Sequence, residues 1–188
     1  MNAIVNIDIC PMNRKLKNEE LGRISSEDFK TTAKTGVVVL LDNVRSLHNV
    51  GSVFRTCDAF LVETLYLCGF TGTPPNNEIN KTALGATESV SWKHEKDIIS
   101  LIKQLKSQNF RVFSIEQAEN AVFLHDFAPK IDEKYALIFG NEVNGVSQEA
   151  IDLSDGVIEI NQGGTKHSLN IAVSAGVVIW EFYKASKK

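Results

Sequence analysis

Cysteine is scarce in this 188-residue chain. There are three, Cys10, Cys57 and Cys68, widely spaced and without a CxxC pair. That argues against a disulfide framework or a zinc site and leaves reduced, structural thiols. An HExxH motif and acidic clusters at metal-ligand spacing are also missing, so no metal centre is expected. Phosphate-binding glycine loops fail on detail. GGTKHS (163–168) lacks the GK[ST] ending that sets lysine and hydroxyl on phosphate and Mg²⁺. No GxGxxG follows the first strand-like run, as a dinucleotide fold requires. No stretch reaches the length of a membrane span, since the apolar run 169–183 is short and interrupted by Asn170, Ser174 and Glu181. The amino-terminal stretch has too short an apolar run, with its charges on the wrong side, for a secretory signal. A cytoplasmic protein is expected. Positive charge is in short supply as well: 20 Lys and Arg stand against 23 Asp and Glu, a net charge of −3. A nucleic-acid binder of this composition needs a local basic patch.

What is present, 43% hydrophobic and 23% charged residues, is the composition of a soluble globular protein. The length suits one domain with six or seven strands. Neither repeats nor low-complexity tracts occur. Residues 1–35 are polar and charged, with a helix expected near 18–24 and another opened by Ser25 or Ser26. They form an extension that packs on the core or reaches toward a substrate, ahead of a domain spanning 36–188. The run GVVVLL (36–41) reads as a strand covered on both faces. A polar loop (42–49) then leads into a helix to about residue 60, with Val50, Val53, Phe54, Cys57 and Leu61 on its apolar face and Asn49 and Arg55 off it. A second strand at 64–68 closes a right-handed β-α-β unit.

Downstream, a loop with Pro74-Pro75 precedes a short helical piece (81–87) and a strand (90–94), so that Lys81, Lys93 and His94 face outward. A helix at 97–107, strands at 110–115 and 135–139, and a loop with a turn of helix between them complete the middle of the chain. The alternation predicts an α/β domain with a mainly parallel sheet and helices on both faces. Residues 157–182 join a short strand (157–160) to a long apolar helix (169–182) through a loop carrying Gly163, Gly164, Lys166, His167 and Ser168. Polar Asn170, Ser174 and Glu181 share one narrow stripe, so the helix is expected to be buried nearly all round. Ser168 and Asn170 stand at its start, where they cap an ordinary buried helix or hold polar ligand atoms.

Three segments resemble, in order, the three signatures of the SpoU/TrmH branch of SPOUT RNA methyltransferases. The first is NVGSVFRTCDAF (49–60), the second FGNEVNGVS (139–147), and the third runs through GGTKHSLNIAVSAG to WEF (163–182). The strings KTALGA, IEQA and SLNIAVSAG add likeness to the catalytic domain of eukaryotic enzymes that methylate the ribose of guanosine 18 in tRNA. The resemblance implies an α/β sheet with a C-terminal trefoil knot and a homodimer formed through the C-terminal helix. It also implies S-adenosyl-L-methionine as methyl donor and a ribose 2′-hydroxyl of RNA as acceptor, tRNA ahead of rRNA. A non-catalytic RNA-binding protein of the same fold is the reading from another class.

By the same resemblance Arg55, Asn49, Glu142, Ser168 and Asn170 are the catalytic set. Ile115, Glu116, Gly140, Asn141, Ile160, Ser168 and Leu169 would hold the donor. Arg55 alone reads as a solvated arginine or the partner of Asp58; the resemblance assigns it activation of the 2′-hydroxyl, and because a guanidinium does not readily give up a proton, the milder role expected here is to hold the adjacent phosphate and stabilise the developing alkoxide. Ser147 reads as the cap of a following helix. Arg45, Lys81, Lys93, Lys166 and His167, with Arg55 and a tail of Lys184, Lys187 and Lys188, would supply the basic patch.

Overall fold

Alternate residues of β1 (Val37–Asp42) enter two different cores, Val37, Val39 and Leu41 on one face and Val38 and Leu40 on the other. Every residue of the strand is buried, as the unbroken apolar run from Val37 to Leu41 anticipates. The structure, a computed structural model, describes residues 14–187. Around β1 stand β2 (Thr64–Cys68), β3 (Trp92–Glu95), β4 (Phe110–Ile115), β5 (Val122–Phe123), β6 (Lys134–Gly140) and β7 (Gly156–Glu159). They form one seven-stranded sheet in the order β3-β2-β1-β6-β4-β7-β5, and every pairing is parallel.

The order explains where a ligand can go. From β1 the chain builds outward to β3, then crosses to β4 and leaves a gap that β6 fills between β1 and β4. Ligands of open parallel sheets settle outside the carboxyl ends of the strands at such a reversal. One face is covered by α1 (Ser26–Thr31), α2 (Leu47–Ala59), α3 (Asn77–Ala83), α4 (Ala86–Ser89) and α7 (Ile171–Ala185). The other is covered by α5 (Ile98–Ser107) and α6 (Gln148–Leu153). Side chains of Ser25, Ser46, Asn76, Asp97 and Asn170 accept backbone N–H groups at their helix starts, each contact worth about 1 kcal/mol.

Several expectations need correction. The helical piece near residue 81 is two helices, because Leu84 and Gly85 both adopt left-handed backbone and break the run. The segment after Glu116 holds no helix; it contributes the two-residue strand β5, which pairs with β7. Helix α7 is not buried all round: Val173, Val177 and Trp180 are 51%, 40% and 46% exposed along a stripe at spacings of four and three. The sheet covers only the opposite face, through Ile171, Ala175, Val178, Ile179 and Phe182.

In the extension, a 3-10 turn (Asn18–Leu21) precedes α1, whose Phe29 is buried in the main core. Phe29 anchors this segment to the core, whereas residues 14–28 are exposed. Cys57 and Cys68 are free and buried, and burial raises both thiols well above their ordinary range. They are inert structural groups. Cys10 lies outside the described residues.

Candidate functional site

The turn after β6 sets the geometry of the site. Asn141 and Gly145 exchange backbone hydrogen bonds of 3.1 and 3.0 Å, and the Asn141 Oδ1 accepts the N–H groups of Val143 and Asn144. The loop closes so tightly that a β-carbon on Gly140 would overlap the backbone of Gly145 and Val146. Only glycine fits there. Glu116, at the end of β4, braces the turn: its carboxylate accepts the N–H of Val146 at 3.1 Å and of Gln117 at 2.8 Å.

Asp42 secures the same turn from the other side. It is 1% exposed, and its Oδ2 accepts both the N–H and the hydroxyl of Ser147, at 3.0 and 2.8 Å. Ser147 therefore does not cap α6 with its side chain. A buried carboxylate needs donors more than a helix end needs a cap. Nothing in the local sequence signals this pair.

A polar chain then joins all three signature segments. Glu142 accepts the backbone N–H groups of Arg45 and Ser46, both at 3.2 Å, and the Asn49 amide at 2.9 Å. Asn49 in turn accepts the Asn170 amide at 3.1 Å, and Asn170 caps α7 by accepting the Ala172 N–H at 2.9 Å. Burial pushes the Glu142 carboxyl up, but the hydrogen bonds from Asn49, Arg45 and Ser46 outweigh it and hold the group below the usual carboxylate range.

A folded-state value below the unfolded 4.5 contributes stability that is present above that value and lost as pH falls through the depressed one. The stability difference between wild type and Glu142→Gln is therefore expected to be constant above about pH 5.5 and to shrink below about pH 4.5. Urea unfolding at each pH measures it; a difference unchanged down to about pH 3 would contradict the assignment.

Beside this chain lies a cleft of about 350 Å³ at the carboxyl ends of β4, β6 and β7, within the usual size range of small-ligand sites. Ile115, Glu116, Gly140, Asn141, Ile160, Ser168 and Leu169 all line it, as does Glu142. Gln117, Glu159, Gln162, His167 and Ser174 line it too, and the sequence reading missed them as lining residues. The Gln117 amide donates to the carbonyl of His167 and so ties the glycine loop to the end of β4. A polar residue next to Glu116 was the only available signal. Apolar walls from Ile115, Phe139, Ile160, Leu169 and Ile171, with exposed loop backbone between them, suit a flat heteroaromatic ring carrying polar substituents. Among the described residues no group of three His, Cys, Asp or Glu side chains is placed to hold a metal ion.

Arg55 is not in the cleft. It stands six residues beyond Asn49 on α2, about 9 Å along the axis and about 120° around it, exposed and without a hydrogen bond or ion pair among the described residues. It lines a separate hollow with Arg23, Asp58 and the Leu84-Gly85 turn. The Asp58 pairing does not form, because Asp58 takes the Ser89 hydroxyl. Arg45, Lys81, Lys93, Lys166 and His167 are all exposed, but Lys81 is bound to Glu78 at 2.6 Å. No contact joins Lys81 to Lys93 or His94 among the described residues. Lys184 pairs with Glu181 and Lys187 lies over the Tyr183 ring; Lys188 is outside the described residues.

Residues 36–180 match the family described as the SpoU rRNA Methylase family. The chain is 34% identical over 164 residues to the tRNA (guanosine(18)-2′-O)-methyltransferase of Thermus thermophilus, an overlap of 86% of this chain and 81% of the relative. The crystal structure of the A. aeolicus TrmH/SpoU tRNA modifying enzyme has the same fold, with a TM-score of 0.76 at 23% identity over 86% of this chain and 82% of that one. So does an AdoMet bound rRNA methyltransferase from Sinorhizobium meliloti, with a TM-score of 0.75 at 23% identity over 83% of this chain and 59% of that one. At these identities the two structures speak for the fold alone.

Proposed function

Because this chain belongs to the SpoU rRNA methylase family, we propose that it methylates a ribose 2′-hydroxyl of RNA, with tRNA as substrate and S-adenosyl-L-methionine as donor. The observation that carries this reading is the joining of all three signature segments, through Glu142, Asn49 and Asn170, beside a cleft at the sheet's topological switch. The similarity to an enzyme named for tRNA guanosine 18 favours tRNA. When bound, S-adenosyl-L-methionine supplies a methyl group on a sulfonium, which leaves as a neutral thioether.

The chain's own residues do the rest. Ile115, Ile160 and Leu169 form the apolar walls for the adenosine, and the backbone around Gly140 and Asn141 and the Ser168 loop meets its polar edges. Glu116 acts by bracing the turn, since backbone N–H groups occupy both of its oxygens. Glu142 holds Asn49, and Asn49 and Asn170 hold each other, fixing the mouth of the cleft. Arg55 holds the phosphate next to the target ribose and stabilises charge developing on the 2′-oxygen. Demand for that hydroxyl selects RNA over DNA.

The separation of Arg55 from the cleft supports a homodimer whose sites are shared. The exposed apolar stripe of α7, with Leu169 at its head, is the natural surface for a second copy. Helix α2 runs alongside α7, since Asn49 meets Asn170 at one end and Phe60 meets Trp180 and Tyr183 at the other. Pairing through α7 brings the partner subunit's Arg55 toward this cleft. Residues 36–188 form the methyltransferase unit, with the C-terminal segment threaded as a trefoil knot. Residues 1–35 are an extension that helps choose the RNA, and the enzyme works in the cytoplasm. Among the described residues no helix is long and apolar enough to cross a membrane.

Incubation of the purified chain with labelled S-adenosyl-L-methionine and unmodified tRNA or rRNA transcripts tests the reading. Label is expected in tRNA; label confined to rRNA would move the substrate assignment. No label in either, with no donor binding by calorimetry, would leave the non-catalytic alternative.

A further inference from the structure

Phe70 is 91% exposed, more than any other large apolar side chain described. An isolated exposed apolar residue needs no explanation by itself. What singles Phe70 out is how firmly the structure mounts it. Its N–H is bound by the Asn43 Oδ1 at 3.0 Å, and Asn43 donates to the buried Asp42 at 2.8 Å. Thr71, the next residue, is 3% exposed; its hydroxyl donates to the Leu41 carbonyl at 2.9 Å and accepts the Val44 N–H at 3.0 Å. Gly69, the residue before, donates its N–H to the Glu95 carbonyl at 2.9 Å, while its own carbonyl meets the His94 imidazole at 3.0 Å. With both neighbours fixed and one turned inward, the ring is held out into solvent.

The location is as specific as the mounting. Cys68 at the end of β2, Asp42 at the end of β1 and Gly140 at the end of β6 lie side by side in register. Two strand spacings, about 10 Å, separate the base of the Phe70 loop from the cleft. The same Asp42 carboxylate ties both the Phe70 loop, through Asn43, and the Gly140–Ser147 turn, through Ser147. Arg45, in the loop after β1, and Lys93, on β3 beside β2, are exposed and offer positive charge to an anionic strand.

We propose that Phe70 is a stacking platform for an unpaired base of the RNA, a neighbour of the nucleotide whose ribose enters the cleft. An aromatic face takes any base, so the contact positions the strand without reading its sequence. This rests on the RNA methyltransferase reading above and adds a positioning residue that does not touch the reacting atoms. It also gives the Asn43–Asp42–Ser147 linkage a purpose, which is to keep the platform and the cleft at a fixed separation.

The test uses the full chain, RNA shown to be methylated, and Phe70→Ala, Phe70→Leu and Phe70→Trp. Phe70→Ala is expected to raise KM for RNA roughly 10- to 100-fold, with kcat less affected, donor affinity unchanged and melting temperature unmoved. Trp restores KM; Leu, which keeps apolar bulk without a π face, does not. Equal rescue by Leu, or an unchanged KM in Phe70→Ala while wild type methylates normally, overturns the proposal and leaves the function standing. Loss of the dimer in Phe70→Ala by sedimentation makes the residue a protein contact and also overturns it. If wild type neither binds nor methylates RNA, both readings fall together.

Discussion

Replacement of Arg55 by alanine is expected to lower kcat for RNA methylation about 10²- to 10³-fold, the usual cost of removing a group that stabilises charge in the transition state. Donor binding and stability should be unaffected, because Arg55 is exposed, lies outside the cleft and makes no contact that its loss would break. The same geometry predicts complementation. In a mixed dimer, one subunit carries Arg55→Ala and the other carries Ile160→Glu, which blocks its cleft from a wall away from the α7 stripe. Each subunit alone is inactive, yet the intact cleft of the first faces the intact arginine of the second. Activity restored on mixing supports shared sites. Two inactive variants that stay inactive together would place Arg55 with its own subunit's cleft.

Gly140→Ala is expected to weaken donor binding at its source. The added methyl would lie against backbone atoms of Gly145 and Val146, not against the end of a flexible side chain, so the turn must open to admit it. Opening it pulls on the Asn141–Gly145 hydrogen bonds and on the Glu116–Val146 bond together. Overpacking of this kind costs roughly 1–3 kcal/mol, and the turn whose displacement relieves it is also the wall of the cleft. Calorimetry should show donor affinity reduced about tenfold or more, each factor of ten corresponding to about 1.4 kcal/mol, with a lower melting temperature. Full affinity in a folded Gly140→Ala would show that the turn does not shape the site.

How far the sequence anticipated this follows from the range of each interaction. Strands β2 and β4 fall where the pattern put them, and Ser25 and Asn170 cap their helices, because those signals lie within a few residues of their effect. The cofactor residues proposed at strand ends do converge on one cleft, since a parallel sheet brings its carboxyl ends to one edge. What escaped depends on distant partners. Ser147 binds Asp42 across 105 residues, and Asn170 binds Asn49 across 121; no periodicity encodes either. Strand β5 is two exposed residues long and takes its form only from β7. The exposed stripe of α7 was misjudged because apolar side chains look the same in sequence whether they face the core or the outside of the chain. Arg55 shows the same limit: its segment could be placed on a helix, but its separation from the cleft depends on tertiary packing that no local pattern encodes.

One measurement bears most directly on the claim that a cleft-bound donor is delivered to a sugar oxygen. Methylated tRNA from the reaction is digested to nucleosides and, separately, treated with alkali, which needs a free 2′-hydroxyl to cut the chain. The structure's reading predicts label in a single 2′-O-methylated nucleoside and one alkali-resistant linkage, both appearing at least about 10²-fold more slowly with Arg55→Ala. Label on a base, with every linkage still cut, would contradict it.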